Sequence, residues 1–211
     1  MINALNKLIK REQNTDFMRN KSEYFKFITN LSDLIEILLV SVNFGWPSVR
    51  KLRGKMAFIV RNLSMDELQF VSWSGSPTHL TYVAEAIERA SKGEVDYLII
   101  YVDGVPLGIG GVDYMVNVGV GTLYQLSVHP DYESRGIGTA LIQALEKRTV
   151  DRGCTAAELS VEIENARARA LYERLEYSII GTTTESWREE ADDGTITVYT
   201  CECLRMRKTL Q

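Results

Sequence analysis

The chain has 211 residues, of which 45% are hydrophobic and 25% charged, and this ordinary composition excludes collagen-like and wholly disordered classes of protein. The net charge is −4, and the acidic excess of residues 56–211 counts against a nucleic-acid-binding role. The longest apolar run, residues 34–46, is interrupted by Glu36, Ser41 and Asn43, and the N-terminus lacks a signal-peptide pattern, so we expect no stable membrane span and a cytoplasmic protein.

The sequence divides by charge near residue 55. Residues 1–55 carry a net charge of +5 and residues 56–211 one of −9. Apolar residues at helical spacing over residues 24–39 predict an amphipathic helix in the first part. Such a helix can pack on its own domain, which we favour, form a homodimer contact, or lie on an acidic membrane surface. Because a strand pattern begins just after Met56, a second hypothesis is that residues 1–55 are a mistranslated leader and that Met56 is the true start.

The first half of the region 56–211 predicts a strand, two helices and three more strands. In chain order these are a strand at 57–63, helices at 64–75 and 79–93, and strands at 95–102, 105–116 and 121–128. Ser64 is the expected N-cap of the first helix, and Gly93 ends the second. Asp103-Gly104 favours a tight hairpin because both residues tolerate positive φ.

The second half predicts alternating helices and strands. These are a loop and helix within 129–148, a strand at 156–163, a helix at 165–176, and strands at 178–183 and 195–206, with a turn at Asp193-Gly194. The hairpins predict antiparallel pairs, while the step from residue 121 to residue 163 predicts a right-handed parallel crossover. We therefore expect an α/β fold of the mixed, α+β kind, with a mostly antiparallel sheet of six to seven strands and about four flanking helices.

The stretch "HPDYESRGIGTALIQALEKR", residues 129–148, places Gly136 and Gly138 between a strand and a helix. A bare backbone at a helix N-terminus directs its N–H groups outward and can bind phosphate, although a purely structural turn would have the same pattern. The stretch lacks the third glycine of GxGxxG, and GxxxxGK[ST] does not occur in the chain. The sequence therefore does not favour a dinucleotide-binding or P-loop enzyme.

A second motif, "NARARALYERLEY" at residues 165–177, follows the next strand. Together with "LSVHPDYESRGIGTALI" it resembles the GNAT superfamily of acetyl-CoA-dependent N-acetyltransferases, over about residues 57–206. The resemblance implies a GNAT fold, in which the two parallel strands splay apart in the middle of the sheet. It also implies a domain at residues 56–211 that binds acetyl-CoA. Since the chain has only His79 and His129 besides its three cysteines, we expect no metal site.

The resemblance implies a set of cofactor-binding residues. Backbone groups of Leu126 and Val128 would pair with the pantetheine arm, amides of residues 134–139 would hold the pyrophosphate, and Asn165 would hydrogen-bond the arm. The expected set is Leu126, Ser127, Val128, Ser134, Arg135, Gly136, Ile137, Gly138, Thr139, Asn165, Ala168 and Tyr172.

Tyr172 is the expected catalytic residue, because the family places this hydroxyl near the cofactor sulfur, where a phenol can donate a proton to a thiolate. Without the motif, Tyr172 would be interpreted as a core aromatic. Two residues depart from the family pattern. Glu133 stands where Gln or Arg is usual and disfavours a nearby pyrophosphate unless its side chain turns outward, with Arg135 a candidate replacement charge. Glu176 stands where glycine is usual, at a helix C-terminus.

Acetylation of an amine also needs a proton acceptor, since a lysine-like amine is almost wholly protonated at neutral pH. The family's glutamate for this role corresponds to Thr122, which cannot accept the proton. We expect Glu162 to act, with Asp113 and Tyr114 as alternatives, each able to act through water. The acidic region 56–211 favours a cationic acceptor, and "WSGSPTHL" at residues 73–80 lies where the family builds the acceptor pocket.

The expected function is direct transfer of an acetyl group from acetyl-CoA to a primary amine of a small molecule or protein. The alternative is a non-catalytic acyl-CoA-binding or regulatory module, which Glu133 and Thr122 favour. The cysteines, Cys154, Cys201 and Cys203, fit neither a disulfide framework nor a zinc site. Cys201 and Cys203 fit one face of a strand, and we expect them to be small buried side chains.

Overall fold

The computed structural model describes residues 58–191 and 193–211, which lie in the second of the two units into which the chain divides, Met56–Gln211. The predicted basic segment at residues 1–55, its amphipathic helix and the hypothesis of a start at Met56 lie outside the described residues. These three stay predictions.

The described residues form a seven-stranded mixed sheet. Its strands are β1 Phe58–Asn62, β2 Val95–Val102, β3 Val105–Asn117, β4 Val120–Val128, β5 Ala156–Glu162, β6 Ser178–Glu190 and β7 Ile196–Thr209. They lie in the order β1-β2-β3-β4-β5-β7-β6. Among these described strands only β4 and β5 pair in parallel, while the other neighbours are antiparallel. The predicted fold class is confirmed.

Three α-helices and one long 3₁₀ helix cover the sheet in the described part of the chain. They are the 3₁₀ helix Met65–Ser74, α1 Pro77–Ser91, α2 Ile137–Asp151 and α3 Ala166–Arg174. Helix α1 begins before its predicted start, because Pro77 fits the first turn and the Ser76 side chain accepts a hydrogen bond from the His79 N–H at 3.2 Å.

The first predicted helix is a kinked 3₁₀ helix instead of an α-helix. Its interior breaks at Val71, which has φ −112° and is completely buried. Its first turn is fixed by Glu67, whose carboxylate accepts hydrogen bonds from Ser64, Arg61 and Tyr101. Tertiary contacts of the first turn and burial at the kink therefore override the helical pattern of the sequence.

Strands β6 and β7 are longer than predicted and form a hairpin that pairs from Ser178↔Arg207 to Glu190↔Ile196. The added residues are mostly polar, and their backbones extend the ladder of hydrogen bonds. The rings of Trp187 and Tyr199 pack across the hairpin in a tilted arrangement with centroids 4.9 Å apart. The turn lies where expected, with Gly194 at φ +81°.

Alternate residues of β2 pack into two hydrophobic clusters on opposite faces of the sheet. Leu98 and Ile100 join the cluster with α2 and α3, while Tyr97 and Ile99 join the cluster with the 3₁₀ helix and α1. Within the described residues no helix is long and apolar enough to cross a membrane.

Strands β4 and β5 separate after a short parallel ladder. They pair only at Val120↔Ala156, Gly121↔Ala157 and Thr122↔Glu158. Beyond that point a register shift in the β3–β4 pairing and a positive φ of 50° at Gln125 mark a bulge that bends β4. The expected splayed pair is therefore present and leaves a gap through the sheet.

Candidate active site

A cleft of about 580 Å³ opens where β4 and β5 separate. Nine of the twelve predicted cofactor residues line it: Leu126, Val128, Ser134, Gly136, Gly138, Thr139, Asn165, Ala168 and Tyr172. The ladder to β5 ends at Thr122, so within the described residues the backbone of Leu126 and Val128 has no strand partner on the β5 side. A peptide-like arm can add there as a strand does.

The loop before α2 exposes backbone N–H groups to this cleft. Gly136 is the N-cap of α2, with φ +85° and no side-chain cap, and the amides of the first turn have no intrahelical acceptor. A Cβ added to Gly138 would lie 3.3 Å from Leu171 Cδ2, so a side chain there would fill the cradle. An uncapped helix end in a cleft fits a diphosphate.

Asn165 lies at the far side of the cleft as the N-cap of α3. Its side-chain oxygen accepts a hydrogen bond from the Ala168 N–H at 3.0 Å. This bond orients the side chain and leaves its NH₂ group available to a carbonyl in the cleft.

An ion pair crosses the mouth of the cleft between Glu133 and Arg167. Arg167 also donates to Ser134 Oγ at 3.0 Å, so one guanidinium on α3 holds two residues of the loop. Arg135, the expected replacement charge, has its guanidinium over the Tyr132 ring at 5.0 Å and does not line the cleft. Arg167 is the cation that pairs with Glu133.

Three predicted cofactor residues do not line the cleft with their side chains. Ile137 is buried in the core, since a Cβ added to Gly108 would lie 3.0 Å from Ile137 Cγ2. Ser127 pairs with Ile109 in the β3–β4 ladder, and Arg135 stacks outward on Tyr132. Only their backbones are candidates for contact.

A second cleft, of about 420 Å³, adjoins the first through the gap in the sheet. The two clefts share Leu126, Asn165, Ala168 and Tyr172. The second cleft is also lined by α1, through His79 and Tyr82, and by β4, β5, β6 and β7, through Tyr124, Gln125, Ser160, Glu162, Glu185, Trp187 and Cys203. Residues 73–80, expected near the acceptor, contribute His79.

Tyr172 lies at the junction of the two clefts and is 8% exposed. Burial raises the pKa of its phenol to about 12. The phenol therefore keeps its proton at neutral pH and can donate a hydrogen bond. The same value makes complete proton transfer to a thiolate unfavourable, because a thiol has a pKa of only about 8.5.

Of the predicted proton acceptors, Glu162 lines a cleft. Its Oε2 accepts a hydrogen bond from Tyr199 Oη at 3.3 Å. The alternatives lie elsewhere. Asp113 pairs with Arg89 at 2.7 Å, and Tyr114 donates to Asp96 at 2.7 Å. Thr122 has a buried hydroxyl that finds no hydrogen-bond partner among the described residues, and it lines neither cleft.

Sequence reasoning missed several residues that line the clefts, including Arg167, Glu185 and Trp187. Arg167 could have been found as the cation in the first turn of α3 that faces an acidic loop. Burial lowers the pKa of His79, so its imidazole is neutral at neutral pH. Among the described residues, no group of three or more His, Cys, Asp or Glu is arranged to hold a metal ion.

A family model described as "Acetyltransferase (GNAT) family" matches residues 60–177, more than half of the chain. The chain belongs to the GNAT acetyltransferase family. Acetyltransferase ECA0875 of Pectobacterium atrosepticum is 39% identical over 101 residues, which cover 46% of this chain and 69% of that protein. Acetyltransferase SG1711 of Sodalis glossinidius is 41% identical over 96 residues, which cover 44% of this chain and 65% of that protein. The family and these relatives make this chain an acyltransferase.

Solved structures share the fold at lower identity. The ribosomal-protein-S18-alanine N-acetyltransferase from Escherichia coli superposes with a TM-score of 0.55 at 21% identity, covering 74% of this GNAT chain and 95% of that chain. The PaiA N-acetyltransferase from Thermoplasma acidophilum, in complex with coenzyme A, gives a TM-score of 0.53 at 17% identity, covering 73% of this chain and 99% of that chain. At these identities the likeness concerns the fold alone.

Proposed function

We propose that this GNAT acetyltransferase transfers an acetyl group from acetyl-CoA directly to a primary amine of a small molecule or protein, without a covalent enzyme intermediate. The observation that carries the proposal is the position of Tyr172 at the junction of the two clefts. A donor bound in one cleft and an acceptor in the other would meet beside its hydroxyl.

The first cleft would hold acetyl-CoA, which supplies the acetyl group as a thioester. First-turn amides of α2 around Gly136 and Gly138 would bind the pyrophosphate, and the free edge of β4 at Leu126 and Val128 would pair with the arm. Asn165 would donate its NH₂ group to an arm carbonyl. Holding the donor along this edge orients the thioester at the gap, which lowers the entropic cost of reaction.

Tyr172 would act as a hydrogen-bond donor to the sulfur that leaves. Since burial raises the pKa of Tyr172 to about 12, its phenol stabilises negative charge on sulfur without losing its own proton. This refines the sequence-based expectation of a proton donor.

Glu162 would accept the proton that the acceptor ammonium must lose before attack. It lines the acceptor cleft beside Asn165 and Tyr172, and the Tyr199 hydroxyl orients it. A carboxylate is a weak base toward an ammonium, so the transfer requires a water relay or a lowered amine pKa in the cleft. The neutral His79, which lines the same cleft, adds no positive charge to oppose the bound cation.

The alternative, a non-catalytic acyl-CoA-binding module, rested on Glu133 and Thr122. The pairing of Glu133 with Arg167 weakens the first argument, and Glu162 in the cleft weakens the second. We therefore favour the enzyme. A cytoplasmic location and a homodimer stay predictions.

The test is Tyr172→Phe, with Tyr177→Phe as the matched control. Both remove one hydroxyl from a buried tyrosine, and the two rings lie 6.2 Å apart, but Tyr177 lines neither cleft. Tyr172→Phe should lower kcat on the order of 10²-fold while the dissociation constant for CoA changes far less. Equal kcat values for wild type, Tyr172→Phe and Tyr177→Phe would remove Tyr172 from the mechanism.

A further inference from the structure

The second cleft differs from the first in its charge. Glu162 and Glu185 are its charged lining residues, and no Lys or Arg of the described chain lines it. Neither carboxylate makes an ion pair with a described cation, and only Glu162 accepts a hydrogen bond, from Tyr199. Burial and Cys201 have the largest effects on the pKa of the Cys203 thiol, and both carboxylates raise it further. Both carboxylates therefore lie near Cys203, which lines the same cleft.

The strand register places the two carboxylates on one face of the sheet. Glu162 on β5 pairs with Cys203 on β7, and Glu185 on β6 pairs with Cys201. The two sulfur atoms lie 3.4 Å apart, which confirms that these alternate residues point to the same side. Strand spacing and rise put the Cα atoms of Glu162 and Glu185 roughly 12 Å apart.

The two carboxylates therefore come from different positions along the cleft. Glu162 lines it together with Tyr172, which also lines the first cleft. Glu185 lies toward the hairpin end, where the next residue on the same face is Trp187, itself stacked on Tyr199. A carboxylate beside an indole ring is a favourable environment for a second cation, through both Coulomb attraction and the ring quadrupole.

We propose that the acceptor is a dication, whose reacting amine binds near Glu162 and whose second cationic group binds between Glu185 and Trp187. This inference rests on the proposed function and specifies its substrate class: an aliphatic diamine or a molecule with two amines at similar spacing. Glu185 is then a specificity-determining residue that contacts the distal cation and takes no part in proton transfer.

The experiment uses three acceptors with the same carbon spacer and different distal ends: hexamethylenediamine, hexylamine and aminocaproate. The full-length protein is assayed for acetyl-CoA-dependent release of free thiol. The kcat/KM for the diamine should be about tenfold higher than that for hexylamine, and aminocaproate should be the poorest acceptor. This ratio is larger than the statistical advantage that the diamine has from its two equivalent amines. The ratio of diamine to hexylamine should fall to the statistical value in Glu185→Gln.

The matched control is Glu202→Gln, on the adjacent strand. Glu202 accepts a hydrogen bond from Thr184 at 2.6 Å and lines neither cleft, so this variant loses the same charge and should keep the wild-type ratio. A preserved ratio in Glu185→Gln, or an equal fall in both variants, overturns the inference.

The inference and the proposed function fail differently. Transfer to hexylamine or another amine without a preference for the diamine overturns the dication and leaves acetyl transfer standing. If acetyl-CoA binds but no amine in a broad panel releases thiol, the proposed function itself is wrong, and the inference falls with it.

Discussion

Glu133→Gln should tighten CoA binding because it frees Arg167 to contact phosphate. Arg167 pairs with Glu133 at the mouth of the first cleft, and the two side chains are 63% and 41% exposed. An ion pair this exposed is worth at most about 1 kcal/mol, so a bound phosphate can displace it. The Glu133 carboxylate therefore pairs with the Arg167 guanidinium, which would otherwise be free to contact phosphate.

The magnitude follows from the hydrogen bond that the freed Arg167 would donate to phosphate. A charge-assisted hydrogen bond contributes about 1.5–3 kcal/mol when desolvated, and exposure of Arg167 reduces this to about 1 kcal/mol. We therefore predict that Glu133→Gln lowers the dissociation constant for CoA about fivefold. Removal of the repulsion between Glu133 and phosphate alone would act in the same direction, so the single variant is not sufficient.

A double-mutant cycle separates the two effects, with calorimetric titration of CoA as the assay. If Arg167 contacts phosphate, Arg167→Gln weakens binding in the Glu133→Gln background about fivefold. If Arg167 only neutralises Glu133, it has no effect there, and that result would refute the reasoning. Arg169→Gln is the control, since Arg169 lies on the same helix, pairs with Glu173 at 3.5 Å and lines neither cleft.

Three further predictions concern stability. Glu176 has a left-handed φ of 71° at the end of α3, so Glu176→Gly should gain about 0.5–1 kcal/mol in thermal unfolding, whereas Glu176→Ala should gain none; a lower Tm for the glycine variant would contradict this. Burial alone would raise the pKa of Glu67, but hydrogen bonds from Arg61, Tyr101 and Ser64 lower it to about 2. The stabilisation of the fold by the Glu67 carboxylate should therefore be complete above pH 4.5 and be lost as the pH falls toward 2. The urea midpoints of wild type and Glu67→Gln should then converge near pH 2. A difference between the two midpoints that does not depend on pH would exclude the charge as the cause. Glu190→Gln should cost about 1 kcal/mol, because the Glu190 carboxylate accepts from the Thr78 N–H at 2.9 Å and from its hydroxyl at 2.7 Å, tying α1 to β6; an unchanged urea midpoint would show that the tie is not stabilising.

The sequence predicted the parts of the site that depend on local pattern. Gly136 caps α2, Gly138 lies in its first turn and Asn165 caps α3, so each lies at the start of its own helix, and the resemblance to the family predicted that they share one cleft with Tyr172. The direction in which each side chain points could not be predicted from the sequence pattern. Arg135 stacks on Tyr132, and Ile137 enters the core, because loop dihedrals and helix phase decide which side chain faces the ligand.

Contacts between distant segments could not be predicted from spacing. Arg167 reaches Glu133 across the cleft, and Glu185 joins Glu162 only because β7 inserts between β5 and β6 in the sheet. The predicted helix at 64–75 is wrong as an α-helix for a similar reason, since Arg61 and Tyr101 fix Glu67 from outside the segment.

Calorimetric titration of the protein with acetyl-CoA, CoA and ATP tests the central claim most directly. The account predicts saturable binding of both CoA ligands with one site per chain, and no comparable binding of ATP, which carries phosphates but no arm to pair with β4. Binding of neither CoA ligand would contradict it, because the amides around Gly136 would then be an uncapped helix end and nothing more.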